Sequence, residues 1–479
     1  MNKNTQLLFS TFCAFFLTSV PLFADIKLPA IFGNNMVLQR ETDVPIWGTA
    51  DKNATVKVKT SWNDKKYKTK ADSSGRWKLK VSTPKAGGPY NVRISDGKAV
   101  TLENVLIGEV WLCSGQSNMQ MPVRGYNNQP VIGSLDAILE SENPNLRLFN
   151  VGMSASITPN DTFRGKWNMA EPETTPAFSA TAYFYGRLLQ KTLKIPVGLI
   201  VASWGGTTIE PWMNDAACKE FEFYKNIKRD TAFPKNPPKV PTTLFNAMIN
   251  PMVGYGIRGV IWYQGESNKW GPEAYQRLLP AMIKGWRTIW EQGDFPFYYA
   301  QVAPHGKNDV LPNGGFLREA QLKAADSLPN VGMAITMDLG EQFCIHPSNK
   351  EDGSKRLAYL ALSETYGIKG ISPYSPVFKD MTFKNDTAIL SFDKAPDGLN
   401  SFGKELSLFE VAGADKVFYP AKATIIRKGT DNLVIVKSDS VPQPVAVRYA
   451  FKNFVVGDLF GNNGLPVSSF RTDDWVRDK

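Results

Sequence analysis

Three apolar runs near the middle of the chain end abruptly in glycine-rich polar turns: WLCSGQSN at 111–118, LIVASWGGT at 199–207 and VIWYQGESN at 260–268. Short runs of this kind, unbroken by polar positions, read as strands buried on both faces. Between 105 and 371 such runs, with FPFYYAQVA and NVGMAITMDLG, are interspersed with the helix-like segments ATAYFYGRLLQKTL, PEAYQRLLPAMIKGWRTIWEQ, FLREAQLKAADSL and SKRLAYLALSETYG. In the second of these, Tyr275, Leu278, Leu279, Met282, Ile283, Trp286 and Ile289 recur at three and four residues, which puts one helix face on a core. Strands alternating with helices require a mainly parallel sheet covered by helices on both sides, hence an α/β fold. Sites in such sheets lie beyond the carboxyl ends of the strands, where the three turns fall.

The flanks have a different texture. From 25 to 104 short runs such as MVLQ, VPIWG, ATVKVKT, RWKLKV and YNVRI alternate apolar and polar residues between turn signals, the pattern of a small β-sandwich. From 372 to 479 alternation returns in TAILSF, LSLFEV, ATIIRK, NLVIVKS and VAVRYAF, so a second β-rich unit is expected to close the chain. The Pro-rich FPKNPPKVPT at 233–242 reads as a loop within the middle unit, 105–371. Residues 1–24 carry Lys3, an apolar run from Leu7 to Val20 and a small residue, Ala24, before Asp25, as a cleaved signal peptide does. A membrane anchor needs ~20 apolar residues, and this run is interrupted by Ser10, Thr11, Thr18 and Ser19. The expectation is a secreted or periplasmic protein with no integral membrane segment after cleavage.

Composition closes off several functions. Lys and Arg outnumber Asp and Glu by 55 to 45, but the basic residues are scattered, so no nucleic-acid partner is expected. Loss of the leader takes Cys13 and leaves Cys113, Cys218 and Cys344, an odd and sparse set that makes no disulfide framework. With only His305 and His346 in the chain and no CxxC, no metal site and no cofactor are expected.

Ser117 follows the first strand directly. A serine hydroxyl needs a base to take its proton and donors for the oxyanion that forms. With two histidines available, His346 in MDLGEQFCIHPSNK has the better context, on a loop after a strand-like run, while His305 in APHG reads as structural. The nearest upstream acids, Glu341 and Asp338, reach the imidazole only if the loop folds back. Gly205 and Gly206 allow a backbone N–H to approach a substrate oxygen without a Cβ in the way. Gln264 and Asn268 carry amide donors suited to an oxyanion hole. Trp111, Trp204, Trp212, Trp262, Tyr263 and Trp270 flank the turns; aromatic faces suit stacking on sugar rings, although Trp111 and Trp262 fit a core better.

The segments LPAIFGNNMVLQR, VPIWGTA, GEVWLCSGQSNMQMP, ASWGGTTIEPWM, FNAMINPM, WYQGESN, IHPSNK and GLPVSSFRTDDW resemble the sialate O-acetylesterase-like carbohydrate esterases of the SGNH hydrolase superfamily. The resemblance implies an SGNH-type three-layer α/β/α catalytic domain with accessory β-domains, and metal-free removal of O-acetyl groups from sugars. It implies Ser117 as nucleophile and His346 as base, with the backbone N–H groups of Ser117 and Gly206 and the Gln264 side chain around the oxyanion, and Glu266 and Asn268 supporting that loop. Many members read Asp-Ile-His-Pro where this chain has Cys344-Ile345-His346-Pro347. The triad acid is then Glu341, Asp338, a main-chain carbonyl or absent, with Glu341 the first candidate. The expected substrate is an O-acetylated sialic acid. Acetylated xylan or another polysaccharide is the alternative, as is a carbohydrate-binding protein with weakened catalysis.

Overall fold

One 17-residue strand, β1 (Ala99–Gly115), organises the chain. Its first half pairs antiparallel with Gly87–Ser95, so that Val92 faces Leu102 and Ile94 faces Val100. Its second half is the centre of a parallel sheet, with Ser203 and Tyr263 both in register with Gly115. The boundary expected at 104/105 therefore falls inside a continuous strand. The computed structural model describes residues 26–225, 236–428 and 431–475. The expected leader at 1–24 lies outside the described residues, as does part of the Pro-rich loop.

After β1 come α1 (Ser117–Gln120), β2 (Asn143–Asn150), β3 (Trp167–Ala170), α2 (Ala180–Leu193), β4 (Val197–Ser203), β5 (Gly259–Tyr263) and α3 (Pro272–Trp290). Then follow β6 (Phe297–Ala300), α4 (Asn313–Ala325), β7 (Val331–Ala334) and α5 (Lys350–Leu360). The sheet runs β7-β6-β5-β1-β4-β2-β3, parallel except for the edge strand β3. Every residue of β4 and β5 is buried, which accounts for runs without polar positions. Alternate residues of β1 serve opposite faces. Val110 and Leu112 join a core with Trp286 of α3 and Leu317 of α4, while Trp111 and Cys113 join another with Tyr183 of α2 and Leu357 of α5. The result is three layers, α/β/α.

The first of those cores continues into the N-terminal β unit through Val56, Val58, Val92 and Ile94. In Thr55–Thr60 exposed and buried residues alternate strictly, the physical form of the TVKVKT pattern. At the C-terminal side, two four-stranded antiparallel sheets enclose Phe378, Phe392, Phe409, Tyr449 and Phe470. The rings of Phe378 and Phe470 stack at 4.7 Å. Ile335 and Met337, which follow β7, share this core.

Two local expectations shift. Ile289 is 37% exposed and Trp290, one residue on, is buried instead, its indole N–H donating to Tyr255 O at 2.9 Å. Helix α5 starts at Lys350 rather than Ser354, because Asn349 caps it by accepting from Asp352 N and Glu351 and Asp352 occupy its first turn. Among the described residues no helix is long and apolar enough to cross a membrane.

Candidate active site

β1 stands where the strand order reverses, with β4 on one side and β5 on the other, and a cleft at the strands' carboxyl ends is expected there. Its last residue, Gly115, has φ +142, and a Cβ there would fall 2.1 Å from Tyr263 O, so only glycine lets the chain turn this close to β5. Gln116 N then donates to Tyr263 O at 3.0 Å and Trp204 N to Gly115 O at 3.1 Å, stitching the turn to both neighbours. Ser117 opens α1 and keeps partial exposure.

The SWGG turn after β4 lies against it. A Cβ on Gly205 would sit 3.2 Å from Ser117 Cβ and 3.0 Å from Gln120 Oε1. Gly205 N is already bonded to Gln120 Oε1 at 2.8 Å. Gly206, at φ +72 with open space around it, is exposed, and its N–H makes no hydrogen bond among the described residues.

His346 lies on the loop between β7 and α5, half-buried. Asn118 Nδ2 donates to Ile345 O at 3.1 Å, tying the residue after Ser117 to the residue before His346 across 227 positions of chain. The ring's Nδ1 is 2.5 Å from Gln129 Oε1, and Tyr126 packs edge-on at 5.5 Å between centroids. Burial, then the positive charges of Lys350 and His305, push its pKa down to about 4. No carboxylate pairs with the ring among the described residues.

Behind these residues sits a buried polar group in which the expected supporting residue Glu266 is joined by Asn118 and Lys350, two residues that sequence reasoning did not single out. Asn118 donates to Glu266 Oε1 at 2.5 Å and accepts from Lys350 Nζ at 2.5 Å. Lys350 is 3% exposed, and burial lowers its pKa to about 7 against the opposing pull of Glu266. Burial raises the Glu266 carboxyl, with its own backbone, Asn118 and Lys350 opposing. Glu266 Oε2 is sealed from solvent with no partner.

Several expected residues are placed differently. Gln264 is fully buried, and its Nε2 faces Gln116 Oε1, Thr207 O and Asn268 Oδ1 at 2.8–3.1 Å, so its two amide hydrogens are spent inside the protein rather than offered to an oxyanion. Asn268 supports the neighbouring turn by accepting from Ile209 N at 3.0 Å. Glu341 is not on the imidazole: its Oε1 accepts from Ser348 N at 2.7 Å and so closes the loop that carries His346. Asp338 is held by Arg356 through two 2.6 Å bonds. His305 has a structural contact, Nδ1 to Glu341 O at 3.1 Å. Trp111, Trp212 and Trp262 are fully buried and Tyr263 is buried, whereas Trp204 is half-buried and Trp270 is 70% exposed. A pocket of about 90 Å³ beside the His346 loop is lined by Glu266, Trp270, His305, Lys307 and Ile345, among others. No group of three or more His, Cys, Asp or Glu suited to a metal ion occurs among the described residues.

Comparison with known proteins gives this geometry its class. The chain is 29% identical to the sialate O-acetylesterase of Rattus norvegicus over 89% of each chain, and 30% identical to that of Homo sapiens over 73% of each. Its structure matches a carbohydrate acetylesterase from Xanthomonas citri with a TM-score of 0.85 and 35% identity, over 94% of this chain and 100% of that one. The protein is a carboxylic ester hydrolase, a carbohydrate acetylesterase. A family profile described as carbohydrate esterase, sialic acid-specific acetylesterase matches residues 107–353, and the chain belongs to that family.

Proposed function

We propose that this protein removes O-acetyl groups from sialic acids through an acetyl-enzyme on Ser117, with His346 as the base, and that it is exported by cleavage of residues 1–24. The observation that carries the mechanism is the Asn118–Ile345 bond, which joins the Ser117 turn to the His346 loop at the end of the central strand. His346, with its pKa near 4, is neutral at ordinary pH, so its Nε2 is free to take the Ser117 proton. The hydroxyl oxygen attacks the acetyl carbonyl, and the N–H groups of Ser117 and Gly206 receive the charge on its oxygen. A donor of this kind is worth ~3–4 kcal/mol of barrier in a serine protease. The imidazolium is a strong acid for the same reason that the imidazole is a weak base, and it returns the proton to the departing sugar oxygen. Water, deprotonated by His346, then releases acetate.

The sialic acid reading is supported by the names of the curated relatives and by the pocket beside the His346 loop, where Lys269 and Lys307 border the exposed Trp270. A sugar carboxylate suits the lysines and a sugar ring suits the indole face. The test has two parts. Hydrolysis of an aryl acetate is expected to fall by at least ~10³-fold in Ser117→Ala and in His346→Ala, as loss of a triad member does elsewhere. An activity unchanged in Ser117→Ala overturns the mechanism. Release of acetate from a panel of O-acetylated sialosides and xylo-oligosaccharides is expected to favour the sialosides. Preference for the neutral xylo-oligosaccharides overturns the substrate.

A further inference from the structure

We propose that Gln129 is the positioning residue for His346, so that a neutral amide does the orienting work a carboxylate does in a Ser-His-Asp triad. This rests on the mechanism above. The ring nitrogen Nδ1 and Gln129 Oε1 are 2.5 Å apart. An amide oxygen only accepts, so Nδ1 must carry the proton, and Nε2 is left with the lone pair that the proposed mechanism requires of the base. The Gln129 side chain projects from a braced loop. Tyr126 N and Gln129 N donate to each other's carbonyls at 3.0 Å, closing a tight turn. Gly125, at φ +79, approaches Gln129 O so closely that a Cβ would fall 2.6 Å from it. Val123 N bonds Phe178 O at 2.8 Å upstream, and Ile132 N bonds Ser348 O at 3.0 Å downstream. The second of these bonds joins the Gln129 loop to the His346 loop itself.

The neutral acceptor fits its surroundings. The charged and titratable groups near the ring are Lys350 at the start of α5, His305 on the loop after β6, Tyr126 on the Gln129 loop, Cys344 and Glu341 on its own loop, and Glu266 beyond Asn118. Tyr126 is pushed up to about 12 by burial and stays neutral. Glu341 is committed to Ser348 N, and Glu266 to Asn118. Among the described residues no carboxylate pairs with the imidazole, so the ring is oriented without being made more basic. A carboxylate in the same position would orient it and also stabilise the imidazolium, which raises its pKa.

Two variants separate orientation from charge. Gln129→Leu removes the acceptor and is expected to lower kcat about ten- to a hundredfold on an aryl acetate, with KM changed less than about threefold. Gln129→Glu keeps an acceptor and adds charge. It is expected to restore kcat to within about fivefold of wild type and to move the acid limb of kcat/KM upward by about one pH unit or more. A residue that only braces its loop would give no such shift. Because the chain holds only two histidines, ¹⁵N-histidine labelling gives two ring systems, assigned with His346→Gln. The His346 signal is expected to be the Nδ1–H tautomer in wild type and a mixture in Gln129→Leu. An unchanged tautomer, or kcat of Gln129→Leu within twofold of wild type while Ser117→Ala is inactive, overturns the inference. Activity surviving in Ser117→Ala strikes instead at the serine mechanism, and the tautomer measurement still decides the role of Gln129.

Discussion

Lys350 is an amine buried behind the Ser117 turn and the His346 loop, and replacing it with Met should leave a measurable mark on stability against pH. Its Nζ touches Asn118 Oδ1, and burial brings its pKa from 10.5 to about 7. In the unfolded chain the same amine keeps its ordinary pKa. Between about pH 7 and 10.5 the unfolded state therefore holds one proton that the folded state does not, and folding gains stability as pH rises through that window. The slope is ~1.4 kcal/mol per pH unit, ~5 kcal/mol over the whole window and, since Lys350 is half-titrated at pH 7, about 2 kcal/mol between pH 7 and 9. The stability is fully present above 10.5 and is lost as pH falls to about 7. Lys350→Met has no proton to exchange. Urea unfolding of both proteins at pH 7, 8 and 9 should show the wild type gaining about 2 kcal/mol relative to the variant, while at pH 7 the variant is penalised by the orphaned Asn118 oxygen, ~1–3 kcal/mol, and by the loss of the charge beside Glu266. Taking the difference between the two proteins cancels every titrating group that Lys350 does not influence, and of the two it does, Glu266 and His346, the histidine titrates below this window. Parallel stability curves would refute the reasoning, because they would mean that Lys350 keeps an ordinary pKa in the fold.

Three shorter predictions concern catalysis. The acid limb of kcat/KM in the wild type should lie near pH 4, because His346 stays neutral down to that point; a limb near 6.5, the value of an unperturbed imidazole, would contradict the burial argument. Gly205→Ala should lower kcat about a hundredfold, since its methyl group would press on Ser117 Cβ and Gln120 Oε1 and displace the nucleophile; activity within threefold of wild type would show that the turn yields. Trp270→Ala should raise KM for an acetylated oligosaccharide about three- to tenfold, the worth of a lost stacking face, while leaving aryl acetate hydrolysis unchanged; equal effects on both substrates would remove it from the sugar site.

What could be read from the sequence follows from how local each signal is. Ser117, Gly205 and Gly206 announce themselves because a buried strand ending in a polar glycine-rich turn is a local pattern, and the sheet brings such ends together. His346 stands out because histidine is scarce here. Gln129 gives no sign of itself in RGYNNQP, a polar stretch without periodicity whose geometry is set by bonds to residues 52 and 217 positions away. Asn118 and Lys350 read as ordinary polar residues, and only the tertiary fold buries them as one cluster with Glu266, which the resemblance alone marks as a loop support. Gln264 shows the converse: an amide well placed in sequence to serve the oxyanion is turned inward by three acceptors, two of them contributed by other turns. The one-residue slip between Ile289 and Trp290 reflects a periodicity that admits either position at a helix end.

The long strand β1 makes this enzyme hard to dissect. About 50 Å of unbroken backbone links the N-terminal sheet to the turn that carries Ser117, the proposed nucleophile, just beyond its far tip. A chain cut to begin at 105 would lose Gly87–Ser95 together with the first six residues of β1, and leave Ser117 mounted on a frayed stump. Recombination between relatives is constrained in the same way: a crossover within these seventeen residues must preserve two pairing partners at once, so the N-terminal sheet and the hydrolytic centre should be inherited as a single block.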